Sequence, residues 1–143
     1  MKFYEMIKIL QNKNNGRIVI CNNGGFYIAL GRDAIKMNEI LDLKLTCHKN
    51  EVCKVGFPKT SLEKYTRELI KQGYGYIVYD FDNEKEEIRL VEIYKGENIN
   101  KEIRENIECS SCPNCKTGKR IETKYSRAMK KYEMQEKMVM QDE

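Results

Sequence analysis

With 143 residues, 41% of them hydrophobic and 34% charged, the chain is sized for one domain with a real core plus an appendage, under a well-solvated surface. No apolar run approaches the ~20 residues that a membrane-spanning helix needs. The opening MKFYEMIKILQNKNN has amphipathic helical spacing instead of a secretory signal's unbroken apolar core, so a cytoplasmic protein is expected. A net charge of +4 is too small to name a partner by itself.

In chain order, Tyr4, Ile7, Lys8 and Leu10 predict a first helix, stopped by the stretch from Asn12 to Gly16. Arg17 to Cys21 is short and β-branched, which predicts a strand. Asn22-Asn23-Gly24-Gly25 is a tight-turn signal, because Asn and Gly tolerate positive φ, and Phe26 to Leu30 returns as a second strand. Asp33 is expected to cap a helix running to about Leu41, with Ala34, Met37 and Leu41 on one face. Leu43 to Cys47 and Val52 to Phe57 read as two more strands around a polar loop, His48 to Glu51, and Pro58 ends the second. Thr60 and Glu63 fit a capping box for a helix carrying Leu62, Tyr65, Leu69 and Ile70 on its buried stripe. Gly73 closes that helix. Gly75 to Phe81 and Ile88 to Tyr94 form a hairpin around the acidic turn Asp82 to Glu87.

After Gly96 the character changes. Residues 1–96 read as an α/β domain, 97–108 as a connecting helix with Ile99, Ile103 and Ile107 on one edge, 109–118 as a cysteine knuckle, and 119–143 as a basic amphipathic helix. That last helix is expected to place Ile121, Tyr125, Ala128 and Tyr132 on one side. Between Lys116 and Lys131, seven cations (Lys116, Lys119, Arg120, Lys124, Arg127, Lys130 and Lys131) face a single anion, Glu122. A charge run on a helix is usually a solvated face. Here Lys119, Lys124, Arg127, Lys130 and Lys131 are the candidates for displacing counterions from nucleic-acid phosphates.

Six cysteines without a secretory signal suggest thiols or a metal site in preference to a disulfide framework. Cys109-x-x-Cys112-Pro113-Asn114-Cys115 has the turn chemistry that converges thiolates on zinc. It supplies three of the four ligands of a closed site, so Cys109, Cys112 and Cys115 are the candidate metal ligands. Cys47, Cys53 or His48 is the candidate for a fourth from within the chain, and unligated thiols are the plain alternative. His48 on its own reads as a solvated loop residue. An iron–sulfur site lacks its fourth cysteine, and a thioredoxin-like dithiol lacks the βαβ setting.

Three stretches carry a resemblance to a known family. Tyr4-x-x-Ile7-Lys8, GGFYIALGRDA starting at Gly24 and GFPKTSLEKYTRELIKQGY starting at Gly56 resemble, in order and spacing, the YxxIK, GDFYELFxxDA and GxPxHALExYIxxLVxxGY stretches of the MutS N-terminal, mismatch-recognising domain. The resemblance covers about residues 1 to 95. It implies a mixed sheet flanked by helices and a probe of the DNA minor groove, in which a Phe stacks on the unpaired base and a Glu two residues later hydrogen-bonds to it. The Phe falls on Phe26. The Glu position holds Ile28.

Two residues apart on a strand, Phe26 and Ile28 share a face, so they are expected to act as an aromatic–aliphatic wedge that unstacks a base step. Without the carboxylate, mismatch discrimination is expected to be weak. The bland alternative is that both residues pack against a helix. No GxxxxGK[ST] phosphate loop occurs, and no paired catalytic carboxylates or nucleophile–base motif stands out, so a non-enzymatic, ATP-independent accessory protein is expected. Its partner would be nucleic acid, DNA before RNA. The competing expectation is a protein adapter docking on a polymerase, reverse transcriptase or repair enzyme through an apolar face that Ile28 makes stickier.

Overall fold

The computed structural model describes residues 2–49, 52–96 and 124–141. Helix α1 spans Phe3–Lys13 and buries Phe3, Tyr4, Met6, Ile7 and Leu10, the spacing of a single apolar stripe. Strands β1 (Ile18–Asn23) and β2 (Phe26–Leu30) form a hairpin, followed by α2 (Arg32–Leu41). β3 (Thr46–His48) and β4 (Val52–Pro58) lead through a 3-10 turn, Lys59–Ser61, into α3 (Leu62–Lys71). β5 (Tyr76–Asp82) and β6 (Glu87–Tyr94) form the second long hairpin, and α4 runs over Lys124–Gln141.

The strands make one sheet in the order β3-β4-β2-β1-β5-β6. Only β1 and β5 are parallel; every other neighbouring pair is antiparallel. The central strands carry unbroken apolar stretches, Ile18–Cys21 of β1, Tyr27–Leu30 of β2 and Tyr76–Tyr79 of β5, where both faces are covered. One face packs Ile18, Ile20, Tyr27, Ala29, Val55, Phe57, Tyr76 and Val78 against α2 and α3, through Ala34, Met37 and Leu69. The other packs Val19, Cys21, Ile28, Leu30, Ile77, Tyr79 and Phe81 against α1 and against Ala128 and Met129 of α4. This is a mixed sheet flanked by helices, and α4 contributes to its core. The connecting helix and the cysteine knuckle expected at 97–108 and 109–118 lie outside the described residues.

Local chemistry accounts for most element ends. Gly73, at φ 82, donates its N–H to the Ile70 carbonyl, while Tyr74 donates to Leu69, the paired bonds that close a helix over a left-handed residue. The capping box is not formed: Ser61 occupies the N-cap of α3 without a side-chain bond, and Glu63 pairs with Arg67 one turn on. The intervening 3-10 turn displaces Thr60 from the cap. β3 is shorter and later than expected, since only Thr46–His48 finds a partner on β4. Asp33 lies inside α2 and caps nothing: Gly31 holds the N-cap, and Asp33 is fully buried.

Candidate nucleic-acid interface

Because β1 and β5 run parallel, the β1–β2 and β5–β6 turns emerge at the same end of the sheet. The first turn has Gly24 and Gly25 as its two loop residues, with Asn23 opposite Phe26. Gly24 takes φ 68 and Gly25 does not, the type II′ arrangement that a right-twisted hairpin favours. A side-chain carbon added at either glycine would meet nothing within 4 Å, so the tip stands clear of the body. The hairpin is anchored below its tip. Asn22 donates from Nδ2 to the Phe81 carbonyl at 3.2 Å and accepts from the Phe81 N–H, extending the β1–β5 ladder by a side chain. Lys59 donates its N–H to Gly25 O at 3.2 Å, tying the tip to the end of β4.

Phe26 is 53% exposed at the first position of β2. Ile28 is 6% exposed and belongs to the core under α1 and α4. The two side chains share a face, as their spacing requires, but the helices cover that face at Ile28 and leave it open at Phe26. Ile28 therefore does not extend Phe26 into a surface wedge.

Beside the tip lies an open groove of about 460 Å³ whose lining includes Asn22, Lys59, Asp80, Asp82, Lys85 and Arg89. Asp80 organises it. Its carboxylate accepts from Tyr27 Oη at 2.9 Å and from Arg89 Nη2 at 3.3 Å, with Lys59 Nζ at 3.8 Å. Burial, reinforced by the Asp80 hydrogen bond, pushes the Tyr27 phenol up to about 12, so it remains a donor at neutral pH. In the β5–β6 turn, Asp82 accepts the Lys85 and Glu84 backbone N–H groups, which hold its carboxyl below the usual range.

That acidic turn also engages the basic helix. Arg127 forms a two-pronged pair with Glu86, 2.9 Å from Nη2 to Oε1. The hydrogen-bonded Arg127 guanidinium holds the Glu86 carboxyl below its ordinary value. Lys124 donates to Asn83 Oδ1 at 2.6 Å and Lys131 to the Lys85 carbonyl at 2.7 Å. Lys130 is exposed. Three of the candidate phosphate-binding cations thus face the protein's own turn, a pairing that spacing along the helix does not reveal. Lys119 lies outside the described residues.

The sequence signature of the family described as MutS domain I matches residues 1–107. The chain belongs to the MutS domain I family. It is 33% identical over 84 residues to the DNA mismatch repair protein MutS of Cytophaga hutchinsonii, covering 56% of this chain and 10% of that protein. It is 33% identical over 69 residues to MutS of a Synechococcus strain, covering 45% of this chain and 8% of that protein. With MutS of Prochlorococcus marinus it shares 28% over 85 residues, 56% of this chain and 9% of that protein. The chain spans about a tenth of the length of these relatives.

In this MutS domain I, the position at which the family resemblance places a glutamate is filled by the buried Ile28, so no carboxylate stands beside Phe26 on β2. Nothing along the chain announces the Asp80, Lys59, Arg89 and Tyr27 cluster, because the β5–β6 hairpin that pairs Asp80 with Arg89 is joined by residues of two distant segments, Tyr27 and Lys59. The alternation of β5 did carry one signal: Asp80 follows Tyr76 and Val78 on a face that is otherwise core.

The candidate metal ligands Cys109, Cys112 and Cys115 lie outside the described residues. His48, expected on a solvated loop, is a buried residue of β3 with its ring 5.8 Å from that of Phe3. Cys47 is exposed and Cys53 half-buried, each carrying a thiol. His48 and Cys47 are adjacent on a strand and point to opposite faces, so they do not converge. Among the described residues no group of three His, Cys, Asp or Glu side chains is placed to hold a metal, and no helix is long and apolar enough to cross a membrane.

Proposed function

We propose that this protein is a non-enzymatic accessory factor that binds distorted duplex DNA through the β1–β2 hairpin, independently of ATP. The observation that carries the reading is Phe26: in a member of the MutS domain I family, an aromatic ring 53% exposed on a tip otherwise made of Asn and Gly. A phenylalanine in that position loses little by leaving water to stack on a displaced base, a contact worth ~1–3 kcal/mol. With an apolar, buried residue at position 28, no acceptor reads the base. The protein should sense the weakness of a stack, not the identity of the mismatch.

Fluorescence anisotropy with a matched duplex, several single mismatches and a one-base bulge tests this. The distorted duplexes should bind more tightly than the matched one and much like each other. Phe26→Ala should remove about 5- to 150-fold of that preference while leaving matched-duplex binding nearly unchanged. Equal binding of matched and bulged duplexes by the unmutated protein would end the reading. In this proposal Cys109, Cys112 and Cys115 contribute three thiolates to a zinc-stabilised knuckle, which metal analysis of the purified protein checks. The adapter reading loses its original basis with the burial of Ile28. It retains Leu90, Val91 and Ile93, exposed on the edge strand β6.

A further inference from the structure

The β3–β4 hairpin places two thiols opposite one another. Cys47 on β3 is the direct partner of Cys53 on β4. The kind of pair follows from the backbone on the far side of β4. Gly31 donates its N–H to the Cys53 carbonyl at 2.9 Å, in continuation of the β2–β4 register that pairs Leu30 with Lys54. In an antiparallel sheet both backbone groups of a residue point to the same neighbour, so those of Cys53 point to β2 and none points to β3. Cys47 and Cys53 therefore form a non-hydrogen-bonded pair, the closer type, in which facing Cα atoms lie about 4.5 Å apart. That falls at the short end of the roughly 4.4–6.8 Å range that a disulfide spans. Directly paired residues place their side chains on the same face of the sheet.

Access is unequal in a useful way. Cys47 is exposed on a three-residue edge strand, whereas Cys53 is half-buried against the Val55 and Phe57 core. An oxidant in solution meets Cys47 first, and Cys53 is held beside it. Cys21, the third described cysteine, is fully buried on β1, where desolvation raises its thiol, and it takes no part.

We propose that Cys47 and Cys53 form a reversible dithiol–disulfide couple, a modification site for a small hydroperoxide oxidant. The Cys47 thiolate attacks one peroxide oxygen, the O–O bond breaks, and hydroxide leaves with a sulfenic acid on Cys47. The Cys53 thiolate then attacks that sulfur and displaces the sulfenic oxygen, which departs as water once protonated. For hydrogen peroxide, two thiols and one peroxide give one disulfide and two waters. A small dithiol reductant reverses the step by thiol–disulfide exchange. The link pins β3 to β4 across a loop of a few residues, and it does not depend on any nucleic-acid contact.

Peptide mapping of the full chain tests the assignment. The protein is treated with hydrogen peroxide, alkylated and digested with trypsin without reduction. Cleavage at Lys44, Lys49 and Lys54 should yield Leu45–Lys49 disulfide-linked to Asn50–Lys54, from protein that stays monomeric on a non-reducing gel. Dithiothreitol should remove the species, and Cys47→Ser should abolish it. In Cys53→Ser, Cys47 should carry a dimedone-reactive sulfenic acid in its place. Amide exchange at Thr46 and His48, the β3 residues whose backbone groups face β4, should slow by about tenfold or more in the oxidised chain, as closing so short a loop implies. Separate alkylation of Cys47 and Cys53 after peroxide, or a link from Cys47 to Cys109, Cys112 or Cys115, would overturn the proposal.

Discussion

The Asp33 carboxylate lies in the core with only one of its oxygens provided for. Oδ2 accepts from the Val19 N–H at 3.0 Å and from Gln11 Nε2 at 2.9 Å. Oδ1 has no hydrogen-bond partner among the described residues, and the nearest described cation is the Arg32 guanidinium, with Nε at 3.8 Å. Burial outweighs these contacts and pushes the carboxyl from 3.8 up to about 6. A carboxyl raised in this way favours the fold while protonated. Its contribution is fully present below about pH 4 and is lost as pH rises through 6, a change of ~3 kcal/mol. Asp33→Asn retains an oxygen for both donors and does not titrate. Melting the two proteins side by side from pH 4.5 to 8 should show the variant gaining on the wild type through pH 6 and levelling above pH 7. A gap that stays constant across the range would mean that Asp33 is not the group responsible.

At the level of elements, the β5–β6 turn and α4 form an electrostatic clasp, in which Lys124, Arg127 and Lys131 bond to Asn83, Glu86 and Lys85. The Arg127–Glu86 side chains remain 42% and 29% exposed, so water screens the pair and it adds little to folding. Glu86→Gln should leave the melting temperature nearly unchanged and release Arg127 toward phosphates. Duplex affinity should then rise, and its logarithmic salt dependence should steepen by about one. An identical salt slope in the two proteins would show that the turn does not restrain Arg127. This clasp also marks where sequence reading stops. The Gly24–Gly25 turn and the Gly73 helix end were legible because each is decided by neighbouring residues and a positive φ. The same holds for the mixed sheet, through its family motifs. Arg127 and Glu86 lie 41 positions apart, and nothing along either segment announces the pairing. The resemblance singles out Phe26 as a candidate, and its exposure is observed, whereas the fate of Ile28 depended on which part of the β2 face the helices cover.

For the whole molecule, the question is whether the chain after Gly96 is an attachment or a component. Sequence composition favours an attachment, since charge dominates the last helix. The packing favours a component. Ala128 is 0% and Met129 3% exposed, and both belong to the same cluster as Met6, Ile7 and Tyr79. Tyr125 meets the rings of Phe3 at 5.3 Å and Phe81 at 5.0 Å. A polar seam runs from Asn14 Nδ2 to Tyr79 Oη at 2.9 Å and on to Tyr132 Oη at 3.1 Å, and Lys13 pairs with Glu136 at 2.9 Å. Sequence spacing placed Tyr125, Ala128 and Tyr132 on one side of this helix, but not the surface they would meet. If α4 completes the core, Met129→Ala leaves a cavity against the sheet and should cost ~2–5 kcal/mol in urea unfolding, with a single transition retained. A helix merely tethered to a self-sufficient domain would tolerate the same change within about 0.5 kcal/mol, as surface substitutions do. The two ranges do not overlap, so one denaturation curve decides whether the domain that presents Phe26 folds with α4 or without it.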